Sequence, residues 1–200
     1  MKNKLTVIDL FCGAGGFSEG FRQLGYEIVA GYDNWKPAID TYNHNFGTES
    51  SIKNILDFKN TAEIELLPDT NVIIGSPPCV SFSSSNKSGK ADKSLGLELT
   101  ACFLRVVAVK KHKKKSMLKA WYMENVANSK NYINHIYTFN DLDLKEWAIS
   151  NGYNPKAEAL NLLDNTTIIN SADYGSYQAR NRALSGEIIT KQKLVVPKPS

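Results

Sequence analysis

The sequence predicts an α/β fold built on a Rossmann-like, doubly wound sheet, and three observations carry that expectation. Short apolar runs alternate with longer amphipathic ones at the spacing of βαβ units. The first apolar run ends in a glycine-rich turn, Cys12-Gly13-Ala14-Gly15-Gly16, just where a first helix would start. The residues best suited to chemistry fall where later runs stop, and open α/β sheets bind their ligands at strand ends.

Residues 5–11 read as the first strand and 17–24 as the first helix, closed by Gly25 in the position that favours a left-handed residue. A strand over 27–32 and a helix over 35–46 follow. A weak strand near 51–55 and a helix near 61–67 lead to the apolar strand 72–75. The Ser/Lys/Gly-rich segment 83–94 suits a closing lid or plain disorder. After it come a helix over 97–110, a strand over 121–124, and a helix over 144–151 capped by Gly152. Two strands, near 157–163 and 166–171, complete the set. Beyond Arg182 the chain reads as a tail ending in Pro197-Lys198-Pro199-Ser200. The expected division is a catalytic, cofactor-binding domain over 1–186, with 187–200 as a linker or the start of a missing recognition domain.

Composition narrows the class. In 200 residues, 42% are hydrophobic and 22% charged, which is ordinary for a soluble globular protein. No apolar run is long enough to span a membrane and the N-terminus has no signal-peptide pattern. Cysteines 12, 79 and 102 are too few and too odd in number for a disulfide framework, so a reducing, cytoplasmic setting is expected. No Cys/His spacing suggests a metal site. The net charge is +4, with the basic excess concentrated in Lys110-Lys111-His112-Lys113-Lys114-Lys115. Such a run attracts polyanions, although a solvated helix end would look the same.

Five local patterns then matter. The glycines at 13, 15 and 16 let the backbone approach a ligand in front of a helix N-terminus. Asp33 ends the second strand, where ribose hydroxyls are held in such folds, and the Trp35 indole could pack on an adenine face. Ser76-Pro77-Pro78-Cys79 stops the third strand with a stiff turn and presents a thiol from its end. Glu124-Asn125-Val126 puts a carboxylate at the end of a buried strand, where desolvation raises its pKa toward neutrality. Gln178-Ala179-Arg180-Asn181-Arg182 places two guanidinium groups on one face of an extended segment. Each alone has a structural explanation: a tight turn, core packing, a loop cysteine, a salt-bridged Glu, surface arginines.

Their order is more specific. The succession of Gly-rich turn, Asp…Trp, Pro-Pro-Cys, Glu-Asn-Val and Gln-x-Arg-x-Arg resembles the DNA (cytosine-5)-methyltransferase family over nearly the whole chain. The resemblance implies the fold of S-adenosylmethionine-dependent methyltransferases, C-terminally truncated. It implies S-adenosyl-L-methionine held by Phe11, Gly13, Ala14, Gly15, Gly16, Asp33, Trp35, Asp57 and Pro78. It implies a DNA cytosine held by Ser76, Pro77, Asn125, Val126 and Gln178. Cys79 would add to C6 of the ring, Glu124 would hold or protonate N3, and Arg182 with Arg180 would hold O2 or nearby backbone. A base within double-stranded DNA would have to be flipped out to reach them.

Some positions depart from the family pattern. Tyr177 precedes Gln178 where proline is frequent. The acidic adenine contact is shared between Asn54-Ile55 and Asp57-Phe58, with Asp57 preferred. No target recognition domain follows the Gln-x-Arg-x-Arg segment, and no groove-reading surface is legible. The expectation is therefore the catalytic half of a split restriction-modification enzyme, partnered by a second polypeptide. A truncated, non-catalytic binder of cofactor or DNA and a tRNA cytosine methyltransferase remain the alternatives.

Overall fold

The computed structural model describes residues 4–78 and 94–199. The expected nucleophile Cys79, and most of the Ser/Lys/Gly-rich segment, lie outside them. A six-stranded sheet has the order β2-β1-β3-β4-β8-β7. Its strands are β1 (Thr6–Leu10), β2 (Glu27–Tyr32), β3 (Val72–Gly75), β4 (Ala120–Val126), β7 (Thr166–Asn170) and β8 (Asn181–Ile188). β2, β1, β3 and β4 run parallel, while β8 lies antiparallel between β4 and β7. A separate two-stranded sheet pairs β5 (Ile136–Thr138) with β6 (Glu158–Asn161). The helices are α1 (Gly16–Gln23), α2 (Lys36–Phe46), α3 (Thr61–Glu65), α4 (Ser94–His112) and α5 (Lys145–Ser150).

The period of two along a strand sorts the core onto the sheet's two faces. Ile8, Leu10, Ile73, Trp121 and Met123 join one core cluster with the apolar side chains of α4. Val7, Val72 and Ile74 form another with Tyr122 and with Phe17 and Phe21 of α1. Every residue of β3 is buried, as expected of a central parallel strand covered on both faces. α4 is buried at every position from 102 to 110, because it is enclosed between the sheet and the 132–162 region that carries β5 and β6.

This burial changes the reading of the basic run. Lys110 is buried and donates to the Leu67 carbonyl at 2.6 Å and to Asp69 Oδ1 at 2.9 Å. Lys111 pairs with Glu187 at 2.8 Å, and Lys113 with Asp69 at 2.8 Å. Only Lys114 and Lys115 of the run's lysines are fully exposed. Three of its five lysines are thus paired with carboxylates.

Three further differences from expectation have local causes. No strand forms near 51–55. The outer backbone of β2 is met instead by the Ser50 hydroxyl, which accepts from Gly31 N–H at 2.7 Å, and by one parallel bridge between Asp33 and Ile52. Asn54 then caps a 3₁₀ turn over Ile55–Lys59 by accepting from Leu56 N–H. The strand expected near 157–163 belongs to the small sheet, paired with a β5 too short to read. Finally, β8 occupies part of the supposed tail, as a central strand across the boundary expected at 186. A Cβ at Gly186 would stand 2.4 Å from the Trp121 carbonyl oxygen, so this close strand contact requires glycine.

Candidate active site

The glycine turn is built by opposing constraints. β1 ends at Leu10, and Phe11 takes a left-handed φ of 63°, unusual for a bulky residue. Its N–H and that of Cys12 both donate to the Tyr32 carbonyl, at 2.8 and 3.2 Å. Gly15 is the N-cap of α1 at φ 98°, and a Cβ there would lie 2.1 Å from the Phe46 ring. Asp33 ties the turn to the next helix: Oδ2 accepts from Gly13 N–H at 3.1 Å and Oδ1 from Trp35 N–H at 3.0 Å. Phe11, Asp33, Asn34, Asn54, Ile55 and Leu99 line a cavity of about 150 Å³ that is closed by Ser76 and Pro78.

A larger cleft of about 760 Å³ adjoins it and shares Ser76 and Pro78. Its walls include Gly16 and Phe17 of α1, Glu124 and Val126 of β4, and Arg180, Arg182 and Leu184. In β4, alternation turns Glu124 and Val126 toward the α1 face and Asn125 away from it. The antiparallel register sets Val126 opposite Arg182 and Glu124 opposite Leu184, so Arg182 reaches diagonally to Glu124. Arg182 Nε lies 2.6 Å from Glu124 Oε1. Burial pushes the Glu124 carboxyl above its ordinary range, against the charge of Arg182 and the hydrogen bonds from Ser76 and Arg182. Asn125 is buried and donates from Nδ2 to the Pro77 carbonyl at 3.1 Å, clamping the Pro-Pro turn to β4.

Some expected residues stand elsewhere. Trp35 is 65% exposed at the start of α2 and does not line the smaller cavity. Asp57 is not in that lining either; its carboxylate is exposed and pairs with Lys53 at 3.2 Å, leaving Asn54 and Ile55 at the cavity wall. Ala14 is exposed, and its carbonyl accepts from Asn45 Nδ2 at 3.0 Å. Gln178 is exposed and outside both linings, its carbonyl taking the Ser171 hydroxyl. Arg180 is aimed by its backbone, whose N–H donates to Asn170 Oδ1 and Ser171 Oγ, each at 3.1 Å.

Asp9 is the residue that sequence reasoning passed over. It is fully enclosed, and burial raises its pKa to about 7. Its carboxylate accepts from Ser18 Oγ at 2.7 Å, and Ser18 Oγ also lies 2.8 Å from Tyr42 Oη. The available signal was an acid inside the apolar run Val7-Ile8-Asp9-Leu10. Burial also pushes the thiols of Cys12 and Cys102 above the free-cysteine range, so neither is a nucleophile at neutral pH.

The sheet order, the glycine turn with its acid, and two adjoining cavities at the strand ends define a Rossmann-like α/β protein of the methyltransferase class. An Escherichia coli prophage-encoded protein described as a DNA modification methyltransferase shares the fold, with a TM-score of 0.62 at 22% identity over 98% of this chain and 51% of that one. The type II methyltransferase M.HindV of Haemophilus influenzae is 34% identical over 200 residues, covering 96% of this chain and 56% of its own length. M.HgiGI of Herpetosiphon aurantiacus, also a type II methyltransferase, is 39% identical over 128 residues, covering 63% of this chain and 94% of its own. The chain belongs to the C-5 cytosine-specific DNA methylase family, whose model matches residues 5–195. It spans about half the length of M.HindV and of the E. coli protein. Among the described residues, no helix is long and apolar enough to cross a membrane.

Proposed function

We propose that this chain is the catalytic part of a restriction-modification cytosine-5 methyltransferase, acting on duplex DNA through a covalent adduct at Cys79. One observation carries the reading: Glu124, paired with Arg182, faces the same cleft as the Ser76-Pro77-Pro78 turn that leads directly into Cys79. In this reading the Cys79 thiol, next in sequence after the Pro-Pro turn, works together with the Glu124 carboxyl.

The smaller cavity fits an adenosine-containing cofactor, and S-adenosylmethionine is that cofactor. Both Asp33 oxygens accept a backbone N–H, and each keeps a further lone pair for a ribose hydroxyl. The apolar walls from Phe11, Ile55 and Leu99 suit an aromatic base. When bound, the cofactor supplies an electrophilic methyl group. The chain's own residues prepare the ring. The Cys79 thiolate forms a bond to C6 while Glu124 delivers a proton to N3, which leaves C5 electron-rich. Arg182 neutralises the Glu124 carboxylate formed by that transfer and offers further N–H donors to the ring oxygen. After methyl transfer a solvent base takes the C5 proton, the C6–S bond breaks to release the thiolate, and N3 returns its proton to the Glu124 carboxylate.

Target recognition, in this reading, is supplied outside residues 1–200 by a second polypeptide. The support for a part outside these residues, whichever chain carries it, is that M.HindV is nearly twice as long as the part matched here. Transfer of labelled methyl from S-adenosylmethionine to cytosine C5 of duplex DNA, with and without a candidate recognition subunit, tests both statements. Transfer by the Cys79→Ser protein would remove the adduct from the mechanism.

A further inference from the structure

We infer that Asp9, Ser18 and Tyr42 form a buried chain of hydrogen bonds that positions the glycine turn for S-adenosylmethionine. The inference rests on the cofactor site proposed above and adds three positioning residues behind it. Asp9 lies in β1 between Gly31 of β2 and Ile74 of β3, Ser18 in the first turn of α1, and Tyr42 in α2. All three are at most 1% exposed. The Ser18 hydroxyl donates to Asp9 Oδ2 at 2.7 Å. Its single proton is used in that bond, so the Tyr42 hydroxyl, 2.8 Å away, donates to Ser18 Oγ. The chain therefore has one direction, from α2 through α1 into β1, and ends on the carboxylate.

Asp9 and Ser18 flank the turn at 12–16, so their bond closes it at its base. Tyr42 joins that base to α2. Gly31 leaves room for the Tyr42 ring, since a Cβ there would stand 2.6 Å from it. The ring lies 4.6 Å from that of Phe46, which packs against Gly15. On its other side the turn is held by Asp33, which accepts from Gly13 N–H at 3.1 Å and stands just before α2. Glycine turn and Asp33 are thus both held in register with one helix. An acid is a costly choice for this strand position, because burial lifts its pKa to about 7 and an apolar side chain would fill the space without a charge to desolvate. Local choices that work against the fold concentrate at functional sites.

The test is calorimetric titration of the full chain with S-adenosylmethionine, with urea unfolding of each protein alongside. Asp9→Asn keeps an acceptor for the Ser18 hydroxyl and should bind within about twofold of the unaltered protein. Asp9→Leu fills similar space without an acceptor and should raise Kd about tenfold, the scale of one lost hydrogen bond. Tyr42→Phe should weaken binding when Ser18 is present and add nothing to Ser18→Ala, because both variants break one chain. A network that serves stability alone would shift the urea midpoints and leave Kd unchanged. That result overturns the inference, as do additive effects of Ser18→Ala and Tyr42→Phe on Kd. Should Asp9→Leu not fold, the Ser18 and Tyr42 variants decide the point alone. If the unaltered chain binds no S-adenosylmethionine, the cofactor site falls and the inference with it; if it binds and the variants match it, the inference alone falls.

Discussion

Arg182 Nε lies 2.6 Å from Glu124 Oε1, across the antiparallel pair of β4 and β8. The contact joins two motifs separated by most of the C-terminal half of the chain. It also sets the electrostatic tension of the site: burial pushes the Glu124 proton on, and Arg182 pulls it off. Arg182→Gln should therefore raise the Glu124 midpoint further and lower the rate of adduct formation by about 10²-fold, the scale for losing one preorganised donor. Arg182→Lys should recover little, because an ammonium cannot reproduce the fork. Single-turnover kinetics across pH separates the two effects.

Asp9 gives the protein a defined pH signature. Its carboxyl has a pKa of about 7 in the folded state against 3.8 for the free group. The folded form holds the proton more tightly, so this stability is fully present below about pH 3.8 and is lost as pH rises through about 7. Compared with Asp9→Asn, the unaltered protein should lose on the order of 4 kcal/mol between those limits. Urea unfolding of both proteins at several pH values checks this; parallel stability profiles would show that Asp9 is not buried as an acid.

Gly15 is the position where the cofactor turn tolerates least. Gly15→Ala combines a φ of 98° with a methyl placed 2.1 Å from the Phe46 ring. We expect a cost of about 2–4 kcal/mol and loss of S-adenosylmethionine binding by calorimetry. Adding Phe46→Leu should return part of the stability, since it relieves the contact but not the dihedral strain.

The buried pair of Lys111 and Glu187 fixes β8 against α4. Glu187→Ala strands an ammonium that is mostly shielded from water and should cost about 3–5 kcal/mol. The double variant Lys111→Met/Glu187→Leu should be far less damaging. Denaturant midpoints of the three proteins decide the point.

β8 also shows where the sequence stopped being legible. Two of its buried residues are polar: Ser185 bonds to Thr166, and Glu187 to Lys111 and, at 3.4 Å, to Trp121 Nε1. Those two polar positions break its apolar alternation, and their partners are far along the chain. The central strands were legible because their burial is apolar, as in Val72-Ile73-Ile74. The strand-end groups Asp33, Ser76, Glu124 and Arg182 could be picked out because they follow such runs or carry a compact motif, and the fold brings them to the two adjoining cavities. Trp35 and Asp57 stand outside both cavity linings. Their side chains suit an adenine or a ribose, but the start of α2 and the 3₁₀ turn direct them to solvent. The lysine run looked like a surface because its acidic partners, Asp69 and Glu187, are remote in sequence.

The most direct measurement is covalent trapping. The full chain is mixed with S-adenosylmethionine and duplex DNA in which cytosine is replaced by 5-fluorocytosine, alone and with a candidate recognition subunit. The account predicts a protein–DNA adduct stable to denaturation, located by mass spectrometry at Cys79 and absent from both Cys79→Ser and Glu124→Ala. Methyl transfer to ordinary duplex DNA with no trapped adduct, or transfer that persists in Cys79→Ser, would contradict it.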